Sequence, residues 1–177
     1  MRITAILALT TAVLLLGCAA TVSRESSQQA AASASPQATK RVLLEISAVG
    51  NIGSGADWDA FIDEWQTSMT SAVATQGATF TMVKPASQIP TEAAVLVKMK
   101  VNDFKYVSQA KRYAVGIFAG NAFMDVDVEF VELPQGKALG KRKFQTSSSA
   151  WQGVFSAMTP KQVEAVAKEI VGQVTGK

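Results

Sequence analysis

Three segments in the second half of the chain alternate between apolar and polar residues with a period of two. They run from Ala94 to Val107, from Phe123 to Leu133 and from about Ala138 to Ser148. Successive side chains of a strand point to opposite faces of the sheet, so each segment has one apolar face and one charged face. A sheet covered by helices on both faces would carry continuous apolar runs instead. The alternation therefore predicts a sheet with one covered face and one face in water.

Two more strands are predicted nearer the N-terminus. Arg41–Val49 alternates in the same way, and Thr79–Val83 is a short run of residues that favour strands. The residues Pro134–Gly136 are typical of a turn, and they join the fourth predicted strand to the fifth.

Two amphipathic helices are also predicted from apolar residues at helical spacing. The first begins at a capping box of the S-x-x-D form, Ser54 to Asp57, and ends near Gly77. The second begins at Thr159, with Gln162 completing a T-x-x-Q capping box. The stripe of the first helix comprises Trp58, Phe61, Ile62, Trp65, Met69, Ala72 and Val73, and that of the second comprises Val163, Val166, Ala167, Ile170 and Val174.

These elements predict an α/β (α+β) fold in the order βαββββα. We expect a two-layer sandwich, with one mixed sheet of about five strands and two helices on one face. Residues 40–177 form a single domain, which is long enough to bury a core unaided.

The N-terminus carries an apolar run that ends at the only cysteine of the chain, Cys18. The run Ile3–Leu16 is about as long as a signal-peptide core and is short for a spanning helix. The residues Leu15–Cys18 (L-L-G-C) resemble the lipobox of bacterial lipoproteins, which implies a signal peptide over 1–17 and a lipidated cysteine. The alternatives are an ordinary secreted protein with an incidental cysteine and an uncleaved anchor helix.

A lipid on Cys18 would anchor the protein to a membrane, because two or three acyl chains hold firmly where one does not. Ala19 stands where an aspartate retains lipoproteins at the inner membrane, so we expect the outer membrane of a Gram-negative cell, facing the periplasm. The residues up to Thr39 are rich in Ser, Ala and Gln. We therefore expect residues 18–39 to be a flexible tether, spanning roughly 25 Å as a random coil.

The charge balance and the missing histidine exclude several classes of function. The chain has 17 basic and 14 acidic side chains, with no histidine, and no basic stretch indicates a nucleic-acid partner. Serine hydrolases and zinc enzymes lose their usual base or ligand without histidine. A single cysteine excludes an intramolecular disulfide and a thiolate cluster. We expect no metal, no cofactor beyond the covalent lipid, and no enzymatic activity.

Three carboxylates, Asp125, Asp127 and Glu129, share one face of the fourth predicted strand. They could hold a metal or act as an acid–base pair. The interpretation we favour is a solvated face, because Lys98, Lys100, Lys141 and Lys143 of neighbouring strands can pair with these carboxylates.

Two apolar segments are candidate partner-binding sites. The first, Tyr113–Asn121, contains Ile117, Phe118 and two glycines, and it joins two strands. It is open to interpretation as a bulged edge strand, a hinge, or a surface loop that meets a partner or a membrane. The second contains Trp151 and Phe155, which are of types favoured at binding hot spots but also of types that pack under a helix.

Several of these residues also match a family pattern, R-x-x-x-G-x-x-x-G before a strand that ends in a glycine turn. The matching positions are Arg112, Gly116, Gly120 and Gly136. From Ala94 to the C-terminus the chain resembles the bacterial lipoproteins grouped as domain of unknown function 4410. The resemblance implies a fold and an envelope location, but no activity.

Taken together, these features predict a lipid-anchored, non-enzymatic domain that binds or scaffolds another envelope component or assembles with itself. The alternative is a periplasmic ligand-binding or hydrolytic module that uses the face carrying Asp125, Asp127 and Glu129.

Overall fold

A computed structural model describes residues 21–25, 33–85, 90–115, 119–147 and 159–176. The elements follow in the order β1 (Thr21–Glu25), a 3-10 turn (Ala38–Lys40), β2 (Arg41–Ala48), α1 (Ala56–Ala74), β3 (Thr79–Val83), β4 (Ala94–Lys105), α2 (Gln109–Val115), β5 (Phe123–Leu133), β6 (Lys137–Ser147) and α3 (Thr159–Thr175).

The strands form one mixed sheet in the order β1-β6-β5-β4-β2-β3. β2 lies parallel to β3 and to β4, and the other neighbouring strands are antiparallel. β1 and β5 begin, and β4 and β6 finish, at the same end of the sheet, where Thr21, Lys105, Phe123 and Ser147 pair across the strands. We call this the α2 end, because α2 follows β4 there.

Both long helices cover one face of the sheet, as the alternating strands predict. Phe61 and Trp65 of α1 and Ile170 of α3 belong to the same buried cluster as the inward side chains of the central strands. Phe61 also stacks on Phe104 of β4, with ring centroids 4.6 Å apart. The predicted two-layer α+β fold and its mixed sheet are confirmed: β2 to β6 are the five expected strands, and α1 and α3 the two expected helices.

The structure adds a sixth strand where a flexible tether was expected. Thr21–Glu25 pairs along its whole length with β6, from Thr21 opposite Ser147 to Glu25 opposite Lys143. Farther along the same expected tether, Ala38 is fully buried. The expectation was wrong over these residues because it weighed apolar side chains, whereas an edge strand is stabilised largely by backbone hydrogen bonds to its neighbour.

Neither predicted capping box forms. The N-cap of α1 is Gly55, with φ of 91° and no side-chain cap, and the Ser54 hydroxyl donates to the Asn51 carbonyl. At α3, the Thr159 hydroxyl accepts from Val107 N–H. Polar side chains at a helix start can satisfy several partners, and at both helices neighbouring loops and strands supply those partners.

The segment Tyr113–Asn121 does not begin as an edge strand. Its first residues, Tyr113–Val115, form the last turn of α2, which was not predicted. Farther along, Ala119 and Ala122 are buried against Val107, and Gly120 has a positive φ of 73°. The segment is therefore exposed where α2 ends and buried where β5 approaches.

Candidate functional site

The face of the sheet opposite α1 and α3 is charged in its central part, and we call this part the open face. Neighbouring strands bring acidic and basic side chains into register, so opposite charges alternate across four strands in one row and across three strands in the next. One row of the open face is Glu45, Lys98, Glu129 and Lys141, and the next is Ser47, Lys100, Asp127 and Lys143.

Two of the four lysines form ion pairs with the predicted carboxylates. Lys141 Nζ lies 3.4 Å from Glu129 Oε1, and Lys143 Nζ lies 3.3 Å from Asp125 Oδ2. Within the described part of the chain, Lys98 and Lys100 form no ion pair, although both point into the open face. The lysine partners expected from the sequence are thus present for two carboxylates.

Asp125 is the most strongly tied of the three carboxylates. It accepts a hydrogen bond of 3.1 Å from Asn102 Nδ2 and one of 2.8 Å from Gln145 Nε2. Partial burial opposes its ionisation, but the hydrogen bonds from Gln145, Asn102 and Lys143 outweigh burial and hold the pKa of Asp125 below its usual range. A carboxyl with a lowered pKa is a poor general acid near neutral pH.

Asn102 links Asp125 to the next carboxylate along the strand. Its Nδ2 also donates to Asp127 Oδ2 at 2.8 Å. Across the described ranges, no group of three Asp, Glu, His or Cys side chains could hold a metal ion. The metal site weighed as an alternative for Asp125, Asp127 and Glu129 gains no support from the described residues.

The open face forms a shallow cavity of about 700 Å³. Lys98 and Lys100 lie on its floor, with Asp127 and Glu129 on β5 and Lys141 and Lys143 on β6. Toward the end opposite α2, the same side of the sheet becomes apolar, with a second buried cluster of Leu43, Ala94, Leu96 and Leu133. The side of the sheet that was predicted to be charged is therefore charged in its central part and apolar toward the end opposite α2.

The partner-binding candidates are only partly within the described residues. Tyr113 lies on α2 and is 62% exposed. Cys18, Ile117, Phe118, Trp151 and Phe155 lie outside the described residues.

Two further residues are exposed and apolar: Val115, which lies within the predicted segment Tyr113–Asn121, and Val49, which was not predicted as a site residue. Val115 is 44% exposed on α2, and Val49 is 43% exposed just after β2. Both residues stand beside glycines in the sequence. An apolar residue in a glycine-containing connection is the sequence feature that could have identified them as exposed.

Among the described residues, none of the helices combines the length and the apolar character needed to cross a membrane.

A family described as a domain of unknown function (DUF4410) matches residues 55–153. The chain belongs to this family. The resemblance stated from Arg112, Gly116, Gly120 and Gly136 is confirmed, and the match includes α1 as well as the second-half strands. No curated protein matches the sequence of this DUF4410 protein.

Solved structures share the fold of this DUF4410 protein at low sequence identity. Two crystal forms of the PelC dodecamer from Paraburkholderia phytofirmans superpose with TM-scores of 0.51 and 0.50 and identities of 10% and 12%. Each alignment covers 88% of this chain and 96% of PelC. A DUF330 protein from Xanthomonas campestris has a TM-score of 0.46 and 15% identity, covering 81% of this chain and 91% of its own.

Proposed function

We propose that this DUF4410 protein is a lipoprotein, anchored through Cys18 to the outer membrane, whose domain binds or scaffolds another envelope component without catalysis. The L-L-G-C sequence before Ala19 supports the anchor. The alternative readings of the N-terminus, secretion with an incidental cysteine or an uncleaved helix, are outcomes of the labelling test given in the Discussion.

The open face is the observation that carries the binding role. Its carboxylates are engaged: Glu129 pairs with Lys141, and Asp125 is held by Asn102, Gln145 and Lys143. These contacts hold the charged side chains in place, which suits recognition of a complementary polar surface.

Self-assembly is one form that this role could take. PelC, which shares the fold, is a dodecamer, so a domain of this architecture is compatible with assembly into a multimer. The partner on the open face is therefore either another envelope protein or a second copy of the chain.

A second candidate function, binding of an anionic ligand, is favoured by Lys98 and Lys100. Both point into the cavity of about 700 Å³, and neither forms an ion pair with a described residue. The lowered pKa of Asp125 makes this carboxyl a poor general acid, which argues against Asp125 as the proton donor in the hydrolytic form of this alternative.

Site-specific photocrosslinking tests the binding role. A photoreactive amino acid replaces Lys98 or Lys100 on the open face, and Gln66, exposed on α1, serves as the matched control position. We expect discrete adducts from Lys98 and Lys100 that are absent from Gln66, with mass spectrometry identifying the partner. An adduct of twice the chain's mass indicates self-assembly. If both open-face positions give no adduct beyond that of Gln66 in intact cells, the proposed binding face is wrong.

A further inference from the structure

The exposed large apolar side chains of the described residues gather at one end of the molecule. They are Val49, Tyr113 and Val115, which are 43%, 62% and 44% exposed. Tyr113 and Val115 lie on α2, which follows the end of β4, and Val49 follows the end of β2. All three therefore lie at the α2 end, although they come from two separate connections.

The N-terminus enters the sheet at this same end. Thr21, the first residue of β1, lies opposite Ser147, which lies opposite Phe123, which in turn lies opposite Lys105. α2 begins four residues after Lys105, at Gln109. The start of β1 and the exposed face of α2 thus belong to one end of the fold.

Chain length ties this end to Cys18. Only Ala19 and Ala20 separate Cys18 from Thr21, and three residues of fully extended chain span about 11 Å at most. An acylated cysteine at this position would therefore hold Thr21, at the β1 edge of the α2 end, within about 11 Å of the lipid surface. α2 follows β4, which lies three strands from β1 at the same end of the sheet.

The side chains at the α2 end suit a lipid surface. Tyrosine places an apolar ring and a polar hydroxyl at the level of the headgroups. Residues two apart on a helix face different sides, so Tyr113 and Val115 would reach the lipid from opposite sides of the last turn of α2. Lys111 lies one turn before Val115, is exposed, and can pair with lipid phosphates. Exposed apolar side chains and a cation at the end where β1 begins have the character of an interfacial contact.

We propose that the α2 end rests on the membrane that holds the acyl chains of Cys18, with Tyr113 and Val115 in the interfacial region. This orientation depends on the proposed lipid anchor. In this orientation the strands run along the membrane normal, and the turn Pro134–Gly136 points away from the lipid. The open face then looks sideways, toward neighbours anchored in the same membrane.

Spin labels on the full, lipidated protein test the orientation. Because acylation consumes the only natural thiol, a cysteine introduced after Cys18 is the single site for a label. Tyr113→Cys and Val115→Cys report the α2 end, and Gln135→Cys, exposed in the distant turn, is the matched control. The samples are reconstituted in vesicles of phosphatidylethanolamine and phosphatidylglycerol, and collisions with oxygen and with a water-soluble nickel chelate are compared.

We expect labels at positions 113 and 115 to show an oxygen-to-nickel collision ratio several-fold higher than the label at position 135. Equal ratios at the three positions overturn the orientation. So does shielding of positions 113 and 115 from both reagents, which indicates contact with protein. Mass spectrometry of the same samples separates the two proposals, because an unacylated Cys18 removes the anchor itself. If a cysteine variant fails to fold, limited trypsin digestion of the unaltered protein replaces the spin labels. The orientation then requires that vesicles slow cleavage after Lys111 more than they slow cleavage after Lys137.

Discussion

The backbone N–H of Val107 donates a hydrogen bond of 2.8 Å to Oγ1 of Thr159, across 52 residues of sequence. Both residues are fully buried. The Thr159 N–H returns a longer bond of 3.4 Å to the Val107 carbonyl. The first residue of α3 is therefore fastened to the segment between β4 and α2, and this contact closes the core at the α2 end.

Removal of the Thr159 hydroxyl should destabilise the fold. Thr159→Val keeps the shape of the side chain but leaves the buried Val107 N–H without its acceptor, so we expect a loss of about 1–3 kcal/mol in the free energy of unfolding. Urea denaturation measures the loss. Thr175→Val is the control, because that hydroxyl sits at the partly exposed end of α3 and donates to the Val171 carbonyl. Equal losses in the two variants would contradict the role assigned to Thr159.

Glu132 should make stability depend on pH. Hydrogen bonds from Ser35, whose N–H lies 2.9 Å from Glu132 Oε1, hold the pKa of Glu132 below its ordinary value of 4.5. The unfolded chain thus binds a proton more readily than the folded chain, and stability is lost as the pH falls through the lowered pKa. Glu132→Gln should lose about 1–2 kcal/mol at pH 7, and the difference from the natural protein should disappear in acid.

Urea denaturation at several pH values checks this difference. The matched control is Glu164→Gln, because Glu164 is exposed and pairs with Lys168 one helical turn away. That variant should match the natural protein closely at every pH. If the difference in the free energy of unfolding between Glu132→Gln and the natural protein stays the same in acid, the ionised form of Glu132 is not the source of the stabilisation.

The open-face carboxylates should be dispensable for folding. Asp125→Asn together with Asp127→Asn should cost about 1 kcal/mol or less, because partly exposed ion pairs contribute little and an amide oxygen still accepts hydrogen bonds. Thermal unfolding measures the cost. A folded double variant that has lost the function abolished by a deletion of the gene would place that function on the open face.

Cys18→Ser should block maturation of the protein. Without the thiol no diacylglycerol can be attached, so the chain should stay an unprocessed precursor and incorporate no labelled palmitate. Metabolic labelling and the mobility of the band on a denaturing gel give the readout. A variant that matures normally at its ordinary size would show that the N-terminus is a conventional secretory signal, and one that still takes up label would place the lipid elsewhere.

The helices and strands that were predicted could be recognised because the pattern of apolar and polar side chains along each of them shows which face is buried. Val97, Met99 and Val101 alternate with Lys98 and Lys100 in β4, and that pattern alone assigns one face to the core. The same alternation placed Glu129 among lysines, and the ion pair with Lys141 follows from the register. The charged face and the two-layer fold therefore came from local pattern.

The features that could not be predicted depend on partners distant in sequence. Thr21–Glu25 has the composition of a tether and becomes a strand only because β6 offers a free edge. Thr159 and Gln162 have the spacing of a capping box, yet Gln162 donates to the Ala122 carbonyl at 3.0 Å. Which partner a polar side chain chooses is set by tertiary packing, and no local window contains that information.

The position of β1 at the edge of the sheet also sets an order of events. β1 ends at Glu25, whereas its neighbour β6 begins at Lys137. A chain is synthesised from its N-terminus, so β1 is the first strand to be made. It is the last strand that can join the sheet, because its neighbour β6 is the last to be made. Joining the two also closes the longest loop in the sheet, which is slow on entropic grounds. Until then the edge of β6 stands open to any extended segment that arrives earlier, including the same five residues of a neighbouring copy.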